Sequence, residues 1–298
     1  MPSRRTFAQI GVPVPENLAG RVCVVTGASS GIGKATATAL ARLGATVVLV
    51  CRNRGRGESA VAEVGAVATG APPSLELADL ASLHEVRDLA ARLARLPAID
   101  VLVNNAGLVV ANRSLTVDGL EHTLAVNHLA PFLLTNLLRP VLEASAPARV
   151  VTVASTVHRT ARLDLTDLGL ERRYRPMLAY SNSKLANILF TRELARRLAG
   201  TGVTANCLHP GTVATNFGQT GSRWLRLSLV VGRHLLRAPE SGAKTVVYLA
   251  ASPDVATSTG GYYVGRSRRN PSRAANDDEL AARLWDLSAT LTGLADGR

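Results

Sequence analysis

Tyr180 and Lys184 stand four residues apart in "YSNSKLANILF", a stretch of helical pattern, so both side chains fall on one face of a helix. A phenol with an ordinary pKa of about 10 is a weak acid and, at neutral pH, a reluctant anion. A neighbouring ammonium favours the phenolate and moves the group toward the range that general acid–base work needs. Ser155 ends the run "ARVVTVAS", where a strand would deliver its hydroxyl to the carboxyl edge of a sheet. From there it can donate to the oxygen that the phenol serves and stabilise charge developing on it. The chemistry such groups could do is proton transfer to or from an oxygen. Alone, such a Tyr-x-x-x-Lys pair is commonplace on helix surfaces and a strand-end serine is unremarkable; their company gives them weight.

That company begins with "TGASSGIGKA", Thr26 to Ala35, after the apolar run "VCVV". Gly27 permits a tight turn out of a strand. Gly31 and Gly33 are expected to bare backbone N–H groups to a pyrophosphate at the positive end of a helix, with Ser29, Ser30 and Ile32 completing the turn. Any strand-to-helix turn accepts glycine, so this stretch alone divides evenly between nucleotide binding and plain packing. The next strand ends "VCRNRGRG", with Arg52 and Asn53 and no acid before Glu58. An NAD site typically carries an acid here for the ribose 2′-hydroxyl. Arg52 suits a 2′-phosphate instead, with Lys34 as a second charge; one charge-assisted hydrogen bond contributes roughly 1.5–3 kcal/mol. The expectation is NADP(H) in preference to NAD(H), the alternative being that Arg52 and Arg54 are ordinary solvated charges.

The elements that must position these groups follow from hydrophobic pattern. Short β-branched runs at 22–26, 46–50, 74–78, 99–105, 148–155, 203–210 and 261–264 alternate with helical patterns near 32–43, 82–95, 118–143, 179–199 and 239–251. Several runs are apolar at every position, as expected of strands covered on both faces. The fold class is α/β, a single-domain doubly wound Rossmann fold with a mainly parallel, roughly seven-stranded sheet. Lacking a linker or internal repeat, the chain reads as one domain over 1–298. Residues 1–19 are an N-terminal extension, 212–238 an insertion over the substrate, and 277–292 a terminal packing helix.

Taken together, the ordered motifs resemble the short-chain dehydrogenase/reductase family over roughly residues 18–265. They are the glycine turn, "DL" at Asp79–Leu80, "NNAG" at Asn104–Gly107, "VNHLAPFLLT" from Val126, "TVAS" ending at Ser155, "YSNSK" at Tyr180–Lys184 and "HPGTVAT" at His209–Thr215. "CRN", "AYSNSKLANILFTRELARRL" and "HPGTV" are similar to the retinol-dehydrogenase-like branch. The resemblance implies hydride transfer between a nicotinamide cofactor and an alcohol or carbonyl, with Tyr180 as acid/base, Ser155 on the substrate oxygen and Lys184 beside both. It makes Asn127 the fourth catalytic position, holding a water relay to the lysine. Tyr180 and Lys184 would also touch the cofactor. Asp79 and Leu80 would sit at the adenine, and Asn104, Asn105, Ala106 and Gly107 at the adenosine pocket. Pro210 and Gly211 would shape a turn from which Thr212, Val213 and Thr215 reach the carboxamide or pyrophosphate. One departure is Ala154, where relatives often have a second serine. His128, His158 and His209 adjoin these motifs and read as loop or packing histidines, and no metal is needed.

Composition narrows the partners. With 34 basic and 22 acidic residues the formal charge is +12, but the arginines are dispersed and no basic tract interleaves with aromatics, so nucleic acid is not expected. Three cysteines without paired spacing argue against disulfides or zinc and for a reducing compartment, the cytoplasm. The first twenty residues lack the apolar core of a signal peptide, and no run suits a membrane span. Residues 212–238 interleave Trp224, Leu225, Leu227, Leu229, Val230 and Val231 with four arginines. That suits an apolar lid, peripheral contact with a membrane surface, or simple packing. A small lipophilic carbonyl or alcohol is the expected substrate, and a homodimer through 118–143 and 179–199 is one oligomeric expectation, a monomer the other. A non-catalytic NADP(H)-binding sensor and a membrane-surface module are the competing functions.

Overall fold

Neighbouring residues of each central strand enter different cores, which is why those runs are apolar throughout. In β1 (Val22–Thr26), Val22 and Val24 join one cluster while Cys23 and Val25 join another. β2 (Thr46–Cys51) divides the same way, Val48 and Val50 against Val47 and Leu49. The computed structural model describes residues 17–211 and 238–294.

The remaining strands are β3 (Ser74–Leu77), β4 (Val101–Asn104), β5 (Arg149–Val153), β6 (Thr204–His209), β7 (Tyr262–Val264) and β8 (Ser267–Arg268). They form one sheet in the order β3-β2-β1-β4-β5-β6-β7-β8. Every pairing is parallel except β7 with β8. The seven expected strands are present, and the eighth is a two-residue polar return at the edge, too short to leave a pattern in the sequence. Strand order reverses between β1 and β4, which opens a crevice at their carboxyl ends.

The helices are α1 (Gly31–Arg42), α2 (Arg54–Gly65), α3 (Leu83–Leu93), α4 (the helical run 122–144), α5 (Pro176–Arg197), α6 (Pro239–Ala251) and α7 (Asp278–Thr292). α1, α2 and α6 cover one face of the sheet, while α3, α4 and α5 cover the other. α2 departs from the expected pattern because "RGRGESAVAEVG" buries only Gly57, Ala60 and Val64. A cap rather than a greasy face marks its start: the Asn53 side chain accepts from Arg56 N at 2.9 Å.

α4 is not the uniform helix expected from 118. Leu115 and Glu121 close a short antiparallel bridge first, and the Glu121 carboxylate then accepts from Thr123 N at 2.9 Å and Leu124 N at 2.7 Å. After one α-turn the chain widens into a π-helix at Ala125–Leu129, where Ala130 N bonds back to Ala125 O. Pro131, which has no N–H to give to the Asn127 carbonyl, is the sequence element that tolerates the wide turn.

α7 lies along α5 and completes its burial. Trp285 stacks near Phe190, ring centroids 5.8 Å apart, and the Arg197 guanidinium sits 4.4 Å over the indole. One side of α5 is thus covered by this chain's own helix. Leu18, within the segment 1–19 expected as an extension, is buried and donates its N–H to Leu43 O at 2.8 Å. The insertion at 212–238 lies, all but its last residue, outside the described residues, and Thr212, Val213 and Thr215 with it.

Candidate active site

The glycine turn leaves β1 at the crevice. Gly27 and Gly31 hold φ of +66° and +56°, values that cost a side-chain-bearing residue strain. A Cβ on Gly33 would collide with the carbonyl oxygen of Gly27 and come within 2.5 Å of Asn105 Nδ2, so this glycine lets α1 pack against the turn. The first turn of α1 carries no acid, and its N-cap Ser30 is exposed with no side-chain bond to the helix. Those free N–H groups and the positive helix end fit a pyrophosphate.

A polar clasp joins this turn to the end of β4. Thr26 Oγ1 accepts from Asn105 N at 3.0 Å and Ala106 N at 3.1 Å and donates to Val103 O at 3.2 Å. Asn105 Nδ2 returns to Thr26 O at 2.8 Å. Asn105 thus holds the crevice together with its side chain. Asn104, expected at the adenosine pocket, turns its amide to Thr135 Oγ1 at 2.9 Å in the opposite core. Thr26, Leu80, Asn104, Ala106, Pro131 and Leu134 line one small hollow. Thr26 was missed as a positioning residue; its signal was a hydroxyl at the last position of an otherwise apolar strand.

The ends of β2 and β3 bring Arg52 and Asp79 together, Nη1 to Oδ2 at 3.8 Å, both well exposed. Such a long surface pair is worth little and leaves the guanidinium able to turn to another anion. The Asp79 carboxylate also accepts from Ala81 N at 3.0 Å. Lys34, expected as a second phosphate-binding charge, instead forms a 2.6 Å ion pair with Glu63 of α2. Lys34 holds the carboxyl of Glu63 below its usual range by a hydrogen bond.

The reacting groups meet on the far side of β4. Tyr180 and Lys184 share a face of α5, with the ammonium 5.6 Å from the ring centroid. Ser155 follows β5 with Ala154 between them, and its hydroxyl lies near enough to the Tyr180 phenol to favour the phenolate. Lys184 Nζ donates to Val153 O at 2.9 Å. Burial pushes the lysine down from 10.5 to about 8. Burial also pushes Tyr180 up to about 12, which the Ser155 hydroxyl only partly offsets. Within the protein, desolvation outweighs a lysine whose charge is aimed at a backbone carbonyl; the nicotinamide is the other charge expected to favour the phenolate. With the protein's own groups alone the phenol keeps its proton at neutral pH.

Asn127 sits in the π-turn of α4, fully buried. Its amide donates to Leu108 O at 2.9 Å and Ser183 Oγ at 3.0 Å, and its oxygen accepts from Leu108 N at 2.8 Å. Ser183 donates in turn to Tyr180 O at 2.8 Å. A Cβ on Gly107 would lie 3.4 Å from both Asn127 Oδ1 and Lys184 Nζ, which places the "NNAG" loop against this group. Ser183 had no assigned role; asking what a buried Asn127 could bind would have found it one residue before Lys184.

Residues 156–178 edge an open cavity of about 510 Å³ lined by Thr160, Arg162, Arg173, Arg175, Met177, Leu178 and Ser181. Pro210 and Gly211 follow β6, with Gly211 at φ +88°, so a left-handed turn starts where one was expected. Beside it, His209 Nδ1 accepts from Thr156 N at 3.3 Å.

Comparison with known proteins agrees with this geometry. The short chain dehydrogenase family matches residues 21–226. Retinol dehydrogenase 14 of Mus musculus is 42% identical, covering 97% of this chain and 91% of its own. The crystal structure of an uncharacterised protein from Mycobacterium paratuberculosis superposes with a TM-score of 0.76 at 38% identity, covering 94% of this chain and 96% of that one. A short-chain dehydrogenase from Escherichia coli CFT073, complexed with NADPH, superposes with a TM-score of 0.68 at 27% identity over 86% of this chain and 100% of its own. A glycine turn at the switch point, a serine after β5 and a Tyr–Lys pair on α5, found in a chain with these relatives, have one reading: the protein is an oxidoreductase of the short-chain dehydrogenase/reductase family, in its retinol-dehydrogenase-like branch.

Proposed function

We propose that the protein interconverts a hydrophobic alcohol and its aldehyde or ketone with NADP(H), Tyr180 acting as acid and base. The observation that carries this is the meeting of Ser155 and Tyr180, with Lys184 5.6 Å from the phenol ring, at the carboxyl edge of the sheet. The nicotinamide supplies or accepts the hydride. In reduction, the neutral phenol gives its proton to the oxygen that gains charge, and Ser155 donates a hydrogen bond to the same oxygen. Lys184 faces the phenolate left behind, and Asn127 holds the "NNAG" loop and the first turns of α5 in register.

Several observations support the finer points. Arg52 at the end of β2, with a weak ion pair and no acid beside it on its own strand end, favours a 2′-phosphate and so NADP(H). The NADPH bound to the Escherichia coli relative is in keeping with that preference. The names of the retinol dehydrogenases point to a lipophilic alcohol, which comes to this chain by analogy. Cys23, Cys51 and Cys207 are all buried and unpaired, which suits a reducing compartment, and the cytoplasm is proposed. The test is loss of NADPH absorbance with a panel of apolar aldehydes and ketones, nonanal among them. Wild type should turn over, and Tyr180→Phe should fall about 10²- to 10⁴-fold. A wild type inert toward the whole panel, or a Tyr180→Phe variant as fast as wild type, would end this reading.

A further inference from the structure

We propose that His158 is a positioning residue for Ser155, acting through the serine's carbonyl; the inference rests on the oxidoreductase reading above. His158 is buried in the short 3₁₀ turn Thr156–Thr160, directly after Ser155. Its Nδ1 lies 2.6 Å from Ser155 O, and its Nε2 lies 3.0 Å from Ser272 N. A carbonyl can only accept and a backbone N–H can only donate, so one form of the ring satisfies both partners: neutral, with the proton on Nδ1. The other tautomer would set a bare nitrogen against the carbonyl oxygen and an N–H against an N–H. The imidazole also lies edge-on to Tyr262 of β7, centroids 5.1 Å apart.

This ring is a strut between two distant segments. The neighbouring Arg159 reinforces the contact by donating to Asn270 O at 2.7 Å. The loop carrying Ser155 is thus tied to a segment 114 residues later. Ser155 needs the tie. Its hydroxyl accepts from Val157 N at 3.4 Å, a bond near the outer limit, so that contact does little to aim it. Its carbonyl, by contrast, takes both the His158 ring N–H and, at 3.2 Å, the His158 backbone N–H. Fixing the carbonyl fixes the direction of the Cα–Cβ bond, and with it where the hydroxyl meets Tyr180.

Asparagine and glutamine separate the two bonds of the ring. His158→Asn can keep the donor to Ser155 O, His158→Gln can keep the acceptor for Ser272 N, and His158→Phe keeps only the packing on Tyr262. With nonanal and NADPH, kcat should fall about tenfold or more in His158→Phe and His158→Gln and recover to within about threefold of wild type in His158→Asn. The Kd for NADPH, read by fluorescence titration, should stay within about twofold throughout. In a Ser155→Ala background, His158→Phe should cost nothing further in the residual turnover, since residues acting as one unit are not additive. A role confined to stability predicts equal losses in both backgrounds, and that result would overturn the proposal. Independently of turnover, ¹⁵N spectra of histidine-labelled protein should show the Nδ1–H form of His158 at neutral pH; an Nε2–H form or a cation would also overturn it. A wild type without turnover sinks the oxidoreductase reading and this role with it, whereas an active wild type with an additive cycle sinks this role alone.

Discussion

The two ends of the crevice are built on opposite principles. At the reacting end Asn127, Ser155 and Lys184 are buried, Tyr180 is shielded with them, and the polar atoms are tied into backbone at distances near 3 Å. At the far end Arg52, Lys34, Asp79 and Glu63 lie in solvent or half in it, joined by ion pairs that water screens. Desolvation governs the first: it drives Tyr180 up and Lys184 down, and sets which proton is available. Count and placement of charge govern the second, where no single contact is strong. Substitutions at the reacting end should therefore change rate and stability together, and those at the far end only cofactor affinity.

The largest effect expected is from Lys184→Met. Turnover should fall about 10²-fold or more, because the phenolate left after proton donation loses its cationic neighbour. Stability without cofactor should move the other way. Burial lowers the lysine from 10.5 to about 8, a cost of about 3 kcal/mol near neutral pH that methionine does not bear, less the bond to Val153 O. Since the folded-state pKa is depressed, the unfolded chain binds more protons between pH 8 and 10.5, and wild-type stability gains with rising pH across that window. Thermal melts at pH 7 and pH 9.5 check both signs: the variant should melt higher, by a margin that shrinks at the higher pH. A variant that melts lower at both would show that the Val153 bond outweighs desolvation.

Next is Asn127→Ala, which strands Leu108 N and Leu108 O and removes the donor to Ser183. Leaving part-buried backbone groups unpaired costs up to about 1–3 kcal/mol each, so a lower melting temperature and a fall in kcat should appear together. If kcat fell with the melting temperature unchanged, the asparagine would serve the chemistry alone and the clasp around Leu108 would be dispensable.

How much of this was legible in the sequence follows the same division. Tyr180 and Lys184 could be paired from spacing because the helix period is rigid, Ser155 joined them only through the family resemblance, and the sheet was readable because strands feeding two cores must be apolar at each position. What the sequence left hidden depends on contacts between distant segments. Gly33 looks like its neighbours until α1 is packed on Gly27 O and Asn105. Lys34 looks free until α2, whose sparse apolar pattern concealed the helix itself, brings up Glu63. The π-turn at Asn127 shows only as a proline four residues on. Burial of Tyr180, which raises its pKa against the ammonium and the nicotinamide expected to favour the phenolate, shows only once α5 is packed.

At the far end, Arg52→Asp should raise the KM for NADPH about ten- to hundredfold, with NADH unaffected or improved, because the variant offers a carboxylate to a 2′-hydroxyl and repels a 2′-phosphate. Its kcat at saturating cofactor should stay near wild type. The preference should also weaken with added salt, as exposed charges require. Equal affinities of the wild type for NADPH and NADH would mean that Arg52 remains with Asp79 and reads nothing.

The smallest effect belongs to Glu63→Gln, and it separates Arg52 from Lys34. In the structure Glu63 holds Lys34 at 2.6 Å, so the lysine's charge is spent within the protein. Removing the carboxylate frees an ammonium at the start of α1, on the side where a 2′-phosphate would face Arg52. NADPH should then bind about two- to threefold more tightly with NADH unchanged, in line with the small worth of exposed pairs. Lys34→Ala in the wild-type background should change little, and in the Glu63→Gln background it should abolish the gain. A large loss of NADPH affinity from Lys34→Ala alone would mean that the lysine leaves Glu63 when cofactor binds, and selectivity would then rest on two cations instead of one.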